Sequence, residues 1–194
     1  MARINITNRW NEIETIEADL LGRGAFATCY RHNDTVYSYV KDTNRGFEYN
    51  DYSKEAISNF TIESVHIPSI VAHGEVYTRG GFKQLYEMPF YNKLQKIESP
   101  VAYKQARILQ KAQERLDTQF YFLHHNGYEY NNELIESVRD LLPSELIQAL
   151  ESINSACSSY GENYKFEFPT RNLKVDSNNN LVLLDCIFNV DALK

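Results

Sequence analysis

Cysteine is scarce in this chain of 194 residues. The three present, Cys29, Cys157 and Cys186, are odd in number, widely spaced and form no CxxC pair. That leaves no basis for a disulfide framework or a cysteine-built zinc site, and it predicts reduced, mostly buried thiols in a cytoplasmic protein. Long apolar runs are missing too. No stretch approaches the ~18 residues of a membrane span. The opening Met-Ala-Arg-Ile-Asn-Ile-Thr-Asn-Arg-Trp lacks the apolar core of a signal peptide. Positive charge is in deficit, with 20 Lys and Arg against 26 Asp and Glu and a net charge of −6. Wholesale nucleic-acid binding is therefore not expected, while a local basic patch stays open. There is no internal repeat, and Asn178-Asn179-Asn180 reads as a turn. What is present is ordinary for a globular protein, 43% hydrophobic and 24% charged. The length suits one domain, with room for two lobes.

Residues 4–18 carry Ile4, Trp10, Ile13 and Ile16 at near-helical spacing, which predicts a short helix or a lead-in to the first strand. Leu20-Leu21-Gly22-Arg23-Gly24-Ala25-Phe26-Ala27 follows. Its two glycines suit either a hairpin turn or a backbone that approaches a phosphate closely. Thr35–Lys41 is β-branched and aromatic and predicts a strand ending in Lys41. Asp51–Phe60 predicts a helix with Tyr52, Ala56, Ile57 and Phe60 on one face. Residues 67–76 and 81–89 predict two strands around a turn at Thr78–Gly81, with Pro89 stopping the second.

Residues 99–125 predict a long helix, with Val101, Ala102, Ile108, Leu109, Ala112 and Leu116 at three- and four-residue spacing. The pair His124-His125 invites a metal reading, but neighbours on a helix point about 100° apart and do not co-ligate easily. Residues 126–132 read as a polar loop and 133–142 as a short helix. Pro143 and Glu145 open the clearest helix, lined by Leu146, Ala149, Leu150, Ile153, Cys157 and Tyr160 and closed by Gly161.

The organising stretch is Lys165–Asp185. Glu167 is followed five residues later by Asn172. A short strand, the Asn turn and a second strand then lead to Asp185. A base, an Asn and an acid brought to one point are what phosphoryl transfer asks for: a proton acceptor and two oxygen ligands for Mg2+.

Glycine loop, Lys41, Glu55, the Glu167–Asn172 pair and Asp185 fall in the order of a protein kinase, and the chain resembles that family over nearly its whole length. The narrower likeness is to the small early serine/threonine kinases of lytic tailed bacteriophages. The resemblance implies an α+β, bilobal kinase-like fold. Residues 1–89 would be an antiparallel-sheet small lobe, and 90–194 a reduced, mostly helical large lobe. It implies that Leu21, Gly22, Gly24 and the backbone to Ala27 cover ATP. Lys41 would hold the α- and β-phosphates, braced by Glu55 with Glu48 as competitor. Glu87 and Met88 would form the hinge, Asn172 and Asp185 would hold Mg2+, and Glu167 would be the base. The implied partner is a host protein met in the host cytoplasm, with no membrane or direct nucleic-acid contact.

The chain also departs from the family. Lys165-Phe166-Glu167 stands where H-R-D is usual, Cys186-Ile187-Phe188 follows Asp185 without Gly, and there is no room for an activation segment. The departures keep two other readings open. One is a pseudokinase that inhibits a host target by contact. The other is a small-molecule kinase of the aminoglycoside type, whose usual H-G-D is absent.

Overall fold

Alternating side chains make strands of the chain's first half, and three- and four-residue periodicity makes helices of much of the second. The structure, a computed structural model, describes residues 1–7, 12–24, 27–41, 64–78, 81–120, 126–161 and 163–189. The fold is α+β, with antiparallel sheets and, among the described residues, three helices. The chain divides into two compact units, Met1–Asn50 with Ser69–Phe90, and Asp51–Pro68 with Tyr91–Lys194. No described helix is long and apolar enough to cross a membrane.

The first unit is one six-stranded antiparallel sheet. Its strands are β1 (Ala2–Thr7), β2 (Ile13–Arg23), β3 (Ala27–His32), β4 (Thr35–Lys41), β5 (Val71–Thr78) and β6 (Gly81–Pro89), in the order β1-β2-β3-β4-β6-β5. The helix considered for residues 4–18 is replaced by β1 and β2, paired Ile4↔Ile16 and Ile6↔Glu14. The reason is a period of two hidden within the wider isoleucine spacing. Ile4 and Ile6 on one strand, with Ile16 and Ala18 on the other, share one face.

That face closes on itself. Ile4, Ile6, Ala18, Tyr37, Tyr39 and Leu85 form a single buried cluster, and the Tyr39 hydroxyl donates to the Asn5 carbonyl of β1. A two-residue turn, Asn33-Asp34, joins β3 to β4, with Asn33 in the left-handed region at φ 55°. Such turns match the twist of the strands they join. The strand expected at 35–41 is present, as are the two around the Thr78–Gly81 turn, although 67–70 precede β5.

The second unit is built on α1 (Pro100–Phe120), α2 (Gly127–Val138) and α3 (Ser144–Ser158). Leu109, Leu134, Leu146, Leu150 and Ile153 are fully buried. Residues 126–132 are not a loop. Asn126 caps α2, its side-chain oxygen accepting from Tyr128 N at 2.9 Å and Glu129 N at 3.3 Å, which satisfies donors that would otherwise be orphaned. Two small sheets complete the unit. β7 (Asn92–Lys93), β9 (Leu173–Val175) and β10 (Leu181–Leu183) form one, and β8 (Tyr164–Phe166) with β11 (Ile187–Asn189) the other. The Asn turn between β9 and β10 is tied by Asp176, whose Oδ1 accepts from Asn178 N and Asn180 N, each at 2.8 Å.

Candidate functional site

Three sequence-selected residues come together in the second unit, and backbone pairing is what assembles them. Pairing of β8 with β11 sets Glu167 beside Cys186, and Glu167 N donates to Cys186 O at 2.7 Å. A 3₁₀ turn, Thr170–Asn172, then swings the chain into β9, and Leu184 N donates to Asn172 O at 3.0 Å. Asn172 is thereby held between Glu167 and Asp185. Its Nδ2 donates to Glu167 Oε1 at 3.0 Å and to the Asp185 carbonyl.

The partners decide the orientation of the Asn172 amide. Both are acceptors, so both must be met by the NH2 group, and the carbonyl Oδ1 faces the other way. Asn172 is 6% exposed, and among the described residues no donor reaches Oδ1. A buried amide oxygen of this kind costs on the order of 1–3 kcal/mol unless something answers it. Arg171 approaches Glu167 Oε1 at 4.0 Å, but its guanidinium is mostly exposed and the attraction is screened.

Residues that the sequence reading did not select hold this loop in place. Asn131, fully buried on α2, accepts from Phe166 N at 2.8 Å and donates to Tyr164 O and to Asn154 Oδ1. On α1, Gln113 accepts from Phe168 N at 2.8 Å, and Gln110 donates to Phe168 O at 2.9 Å. Phe166 and Phe168 stack at 5.4 Å between ring centres, both 1% exposed. Glu167 is therefore flanked by two anchored neighbours. The Asn126 cap was the signal that would have placed Asn131 on a helix. Cys186 is also buried, and burial, followed by the nearby Cys157, pushes its thiol well above the ordinary range. It is an inert thiol.

The remaining site residues fall in the first unit. Leu21 lies where the β2–β3 register shifts, between the Leu20↔Tyr30 and Gly22↔Cys29 pairs. Gly24 N donates to Ala27 O at 2.8 Å. Neither glycine has a positive φ. A Cβ at Gly22 would meet nothing within 4 Å, and one at Gly24 only Ala27 O at 3.8 Å. Backbone strain and packing against described residues thus give no reason for glycine at either position. Ala27 is in register with Val40, next to Lys41, so the glycine turn and Lys41 share one end of the sheet.

Lys41 closes β4 opposite Lys83; its side chain, like the whole of Glu48, Glu55, the helix expected over 51–60 and His124-His125, lies outside the described residues. Glu87 and Met88 lie in β6 opposite Tyr37 and Val36. Four residue pairs, or about 13 Å of ladder, separate Glu87 from Lys41. The β5 ladder ends at Val71↔Glu87. The Glu87 carboxylate meets His73 Nε2 at 2.8 Å.

No family model matches the chain. No curated protein matches it either.

Proposed function

We propose that this chain is a minimal ATP- and Mg2+-dependent serine/threonine protein kinase of bilobal, kinase-like architecture, phage-encoded and acting on host proteins. The observation that carries the reading is the buried Asn172, whose NH2 group bonds Glu167 Oε1 and the Asp185 backbone carbonyl and whose Oδ1 meets no donor among the described residues. An amide oxygen and a carboxylate are hard oxygen donors, which suits Mg2+. Asn172 and Asp185 would hold the ion, and the bound ion would neutralise charge on the β- and γ-phosphate oxygens.

The chain's own residues would do the rest. Gly22, with open space where a Cβ would stand, and Gly24, where a Cβ would touch only Ala27 O, admit the phosphates to the backbone as far as Ala27, with Leu21 alongside in sequence. Lys41, braced by Glu55, holds the α- and β-phosphates. The end of β6 at Glu87 and Met88, where its pairing with β5 stops, takes the adenine. The substrate hydroxyl oxygen bonds to the γ-phosphorus, the bond to the bridging oxygen breaks, ADP leaves, and Glu167 accepts the hydroxyl proton. Catalysis is then positioning and charge neutralisation.

One observation favours a second reading, a nucleotide-binding pseudokinase that inhibits a host target. Glu167 Oε1 is already engaged by Asn172, so Glu167 can serve as the prop that turns Asn172 toward a cation rather than as a base. Transfer of labelled γ-phosphate in a bacterial lysate separates the two. The kinase reading expects label on protein with the wild type and none with Asp185→Ala or Glu167→Gln. No label from any of them, with ATP and Mg2+ still raising Tm, gives the pseudokinase. Gly22→Val tests the loop separately: the fold should hold or gain slightly, since Gly weakens a strand, while the ATP-induced rise in Tm should be lost. If ATP raises Tm in none of these proteins, both readings fail.

A further inference from the structure

Helix α1 buries one face and leaves another that its own unit does not use. Ala102, Ala106, Leu109, Ala112 and Leu116 are buried. At 100° per residue, Lys104, Arg107, Lys111 and Arg115 fall within an arc of about 80° on the opposite side. All four are exposed, and none forms an ion pair with another described residue. Arg107 only donates to Gln110 Oε1 at 2.7 Å. The acids of α1 stand outside that arc. Glu114 borders it, and Asp117 accepts from the Tyr130 hydroxyl across the helix pair at 2.7 Å.

The stripe has an apolar head. Ser99 N donates to Gln95 O at 3.0 Å and Tyr103 N to Ser99 O at 2.9 Å, so the turn before α1 continues its helical path. Ile97 is 93% exposed and Val101 69%. They are one turn apart and continue the line of the cations. Val101 was expected in the buried face, and the structure turns it outward. Four cations that pair with no described acid, on a chain of net charge −6, concentrate positive potential on one helix face.

We infer that the Ile97–Arg115 face of α1 is a docking surface for an acidic segment of a partner protein that carries apolar anchors beside its carboxylates. Complementarity of charge selects the acids, and the Ile97–Val101 pair selects a protein. A nucleic acid has no use for two exposed aliphatic side chains before the cations, and two are too few to seat a helix in a lipid surface. The face uses none of the residues assigned to phosphoryl transfer, so it stands or falls independently of that reading.

The probe is a labelled helical peptide with two leucines four residues apart, followed by glutamates at three- and four-residue spacing. Its binding to the full chain is followed by fluorescence anisotropy over a salt series. Binding should weaken as salt rises. Lys111→Glu with Arg115→Glu should weaken it about tenfold, and Val101→Ser severalfold. Unchanged circular dichroism is expected, because these are exposed positions. Absence of peptide binding would overturn the assignment, as would binding indifferent to both variants. It is equally overturned if duplex DNA or anionic vesicles bind as tightly and Val101→Ser has no effect. Self-association through this face that the peptide does not displace would hand the surface to a second copy instead.

Discussion

In the sheet unit the enclosed cluster is partly phenolic. Tyr37 and Tyr39 sit among Ile4, Ile6, Ala18 and Leu85, and Tyr30 packs edge-on against Tyr39 at 5.8 Å. In the helical unit aliphatic side chains dominate, with Leu109, Leu134, Leu146, Leu150 and Ile153 at 0% exposure, although Phe166, Phe168, Tyr130 and Tyr164 are buried there too. Its buried polar residues include His66, Ser99 and Asn172 as well as a short asparagine network, Asn131 with Asn154, that serves the loop after β8. A curled sheet with one inner face must fill the space it encloses and satisfy its own rim. Tyrosine does both, with a ring for the interior and a hydroxyl for the Asn5 carbonyl. A helix bundle needs only volume, so its few buried polar groups can be given over to positioning.

The largest expected effect probes the mostly aliphatic centre of the helical unit. Leu150→Ala should cost about 3 kcal/mol, through lost transfer energy and a residual cavity. Ile6→Ala, on strand β1 at the edge of the sheet and 8% exposed, should cost about 2 kcal/mol, because an edge strand relaxes more easily. Urea unfolding of both variants tests the contrast, and equal losses would break it.

Next comes the asparagine network. Asn131→Leu leaves Phe166 N and Tyr164 O without their partner and should cost about 2 kcal/mol. Faster hydrogen exchange at Phe166 and Glu167, with the sheet amides unchanged, would sharpen the division of labour. Uniform acceleration would dissolve it.

The smallest effect at neutral pH concerns the phenols. Burial, helped by Glu87 and Glu14, raises Tyr37, and burial with neighbouring Tyr30 and Tyr37 raises Tyr39 further from the ordinary 10.0. Tyr130 in the helical unit is raised by burial and by its hydrogen bond to Asp117. For each, the unfolded chain releases a proton that the folded chain keeps. Their contribution to stability is therefore constant below pH 10 and is lost as pH rises beyond it. The sheet unit holds two such phenols in one cluster, so alkaline hydrogen exchange should accelerate there first. Tyr39→Phe should blunt the alkaline loss while costing about 1 kcal/mol at neutral pH for the missing hydroxyl bond.

Much of this was legible in the chain. Thr35–Lys41, the hairpin around Thr78–Gly81 and the helices of 100–120 and 144–158 follow from periods of two or of three to four residues. The β1–β2 hairpin was harder, because Ile4, Ile13 and Ile16 satisfy a helical spacing as well as a strand. Pairing Ile4 with Ile16 settles it, and pairing is not a local property. Asn131 was lost inside a stretch that looked polar and loop-like; it is buried because Asn126 caps a helix there and Tyr164 and Phe166 need its amide.

Sequence by itself determined that Glu167, Asn172 and Asp185 would come near one another, since short strands and an Asn turn leave the chain few other routes. It also determined that α1 would be amphipathic. Only the tertiary structure decided which atom of Asn172 meets no partner among the described residues, because that depends on a carboxylate and a carbonyl converging on its NH2 from separate segments. Only the tertiary structure decided that Val101 faces outward with the cations. Which arc of α1 is buried depends on the elements packed against it, and no periodicity within the helix specifies that.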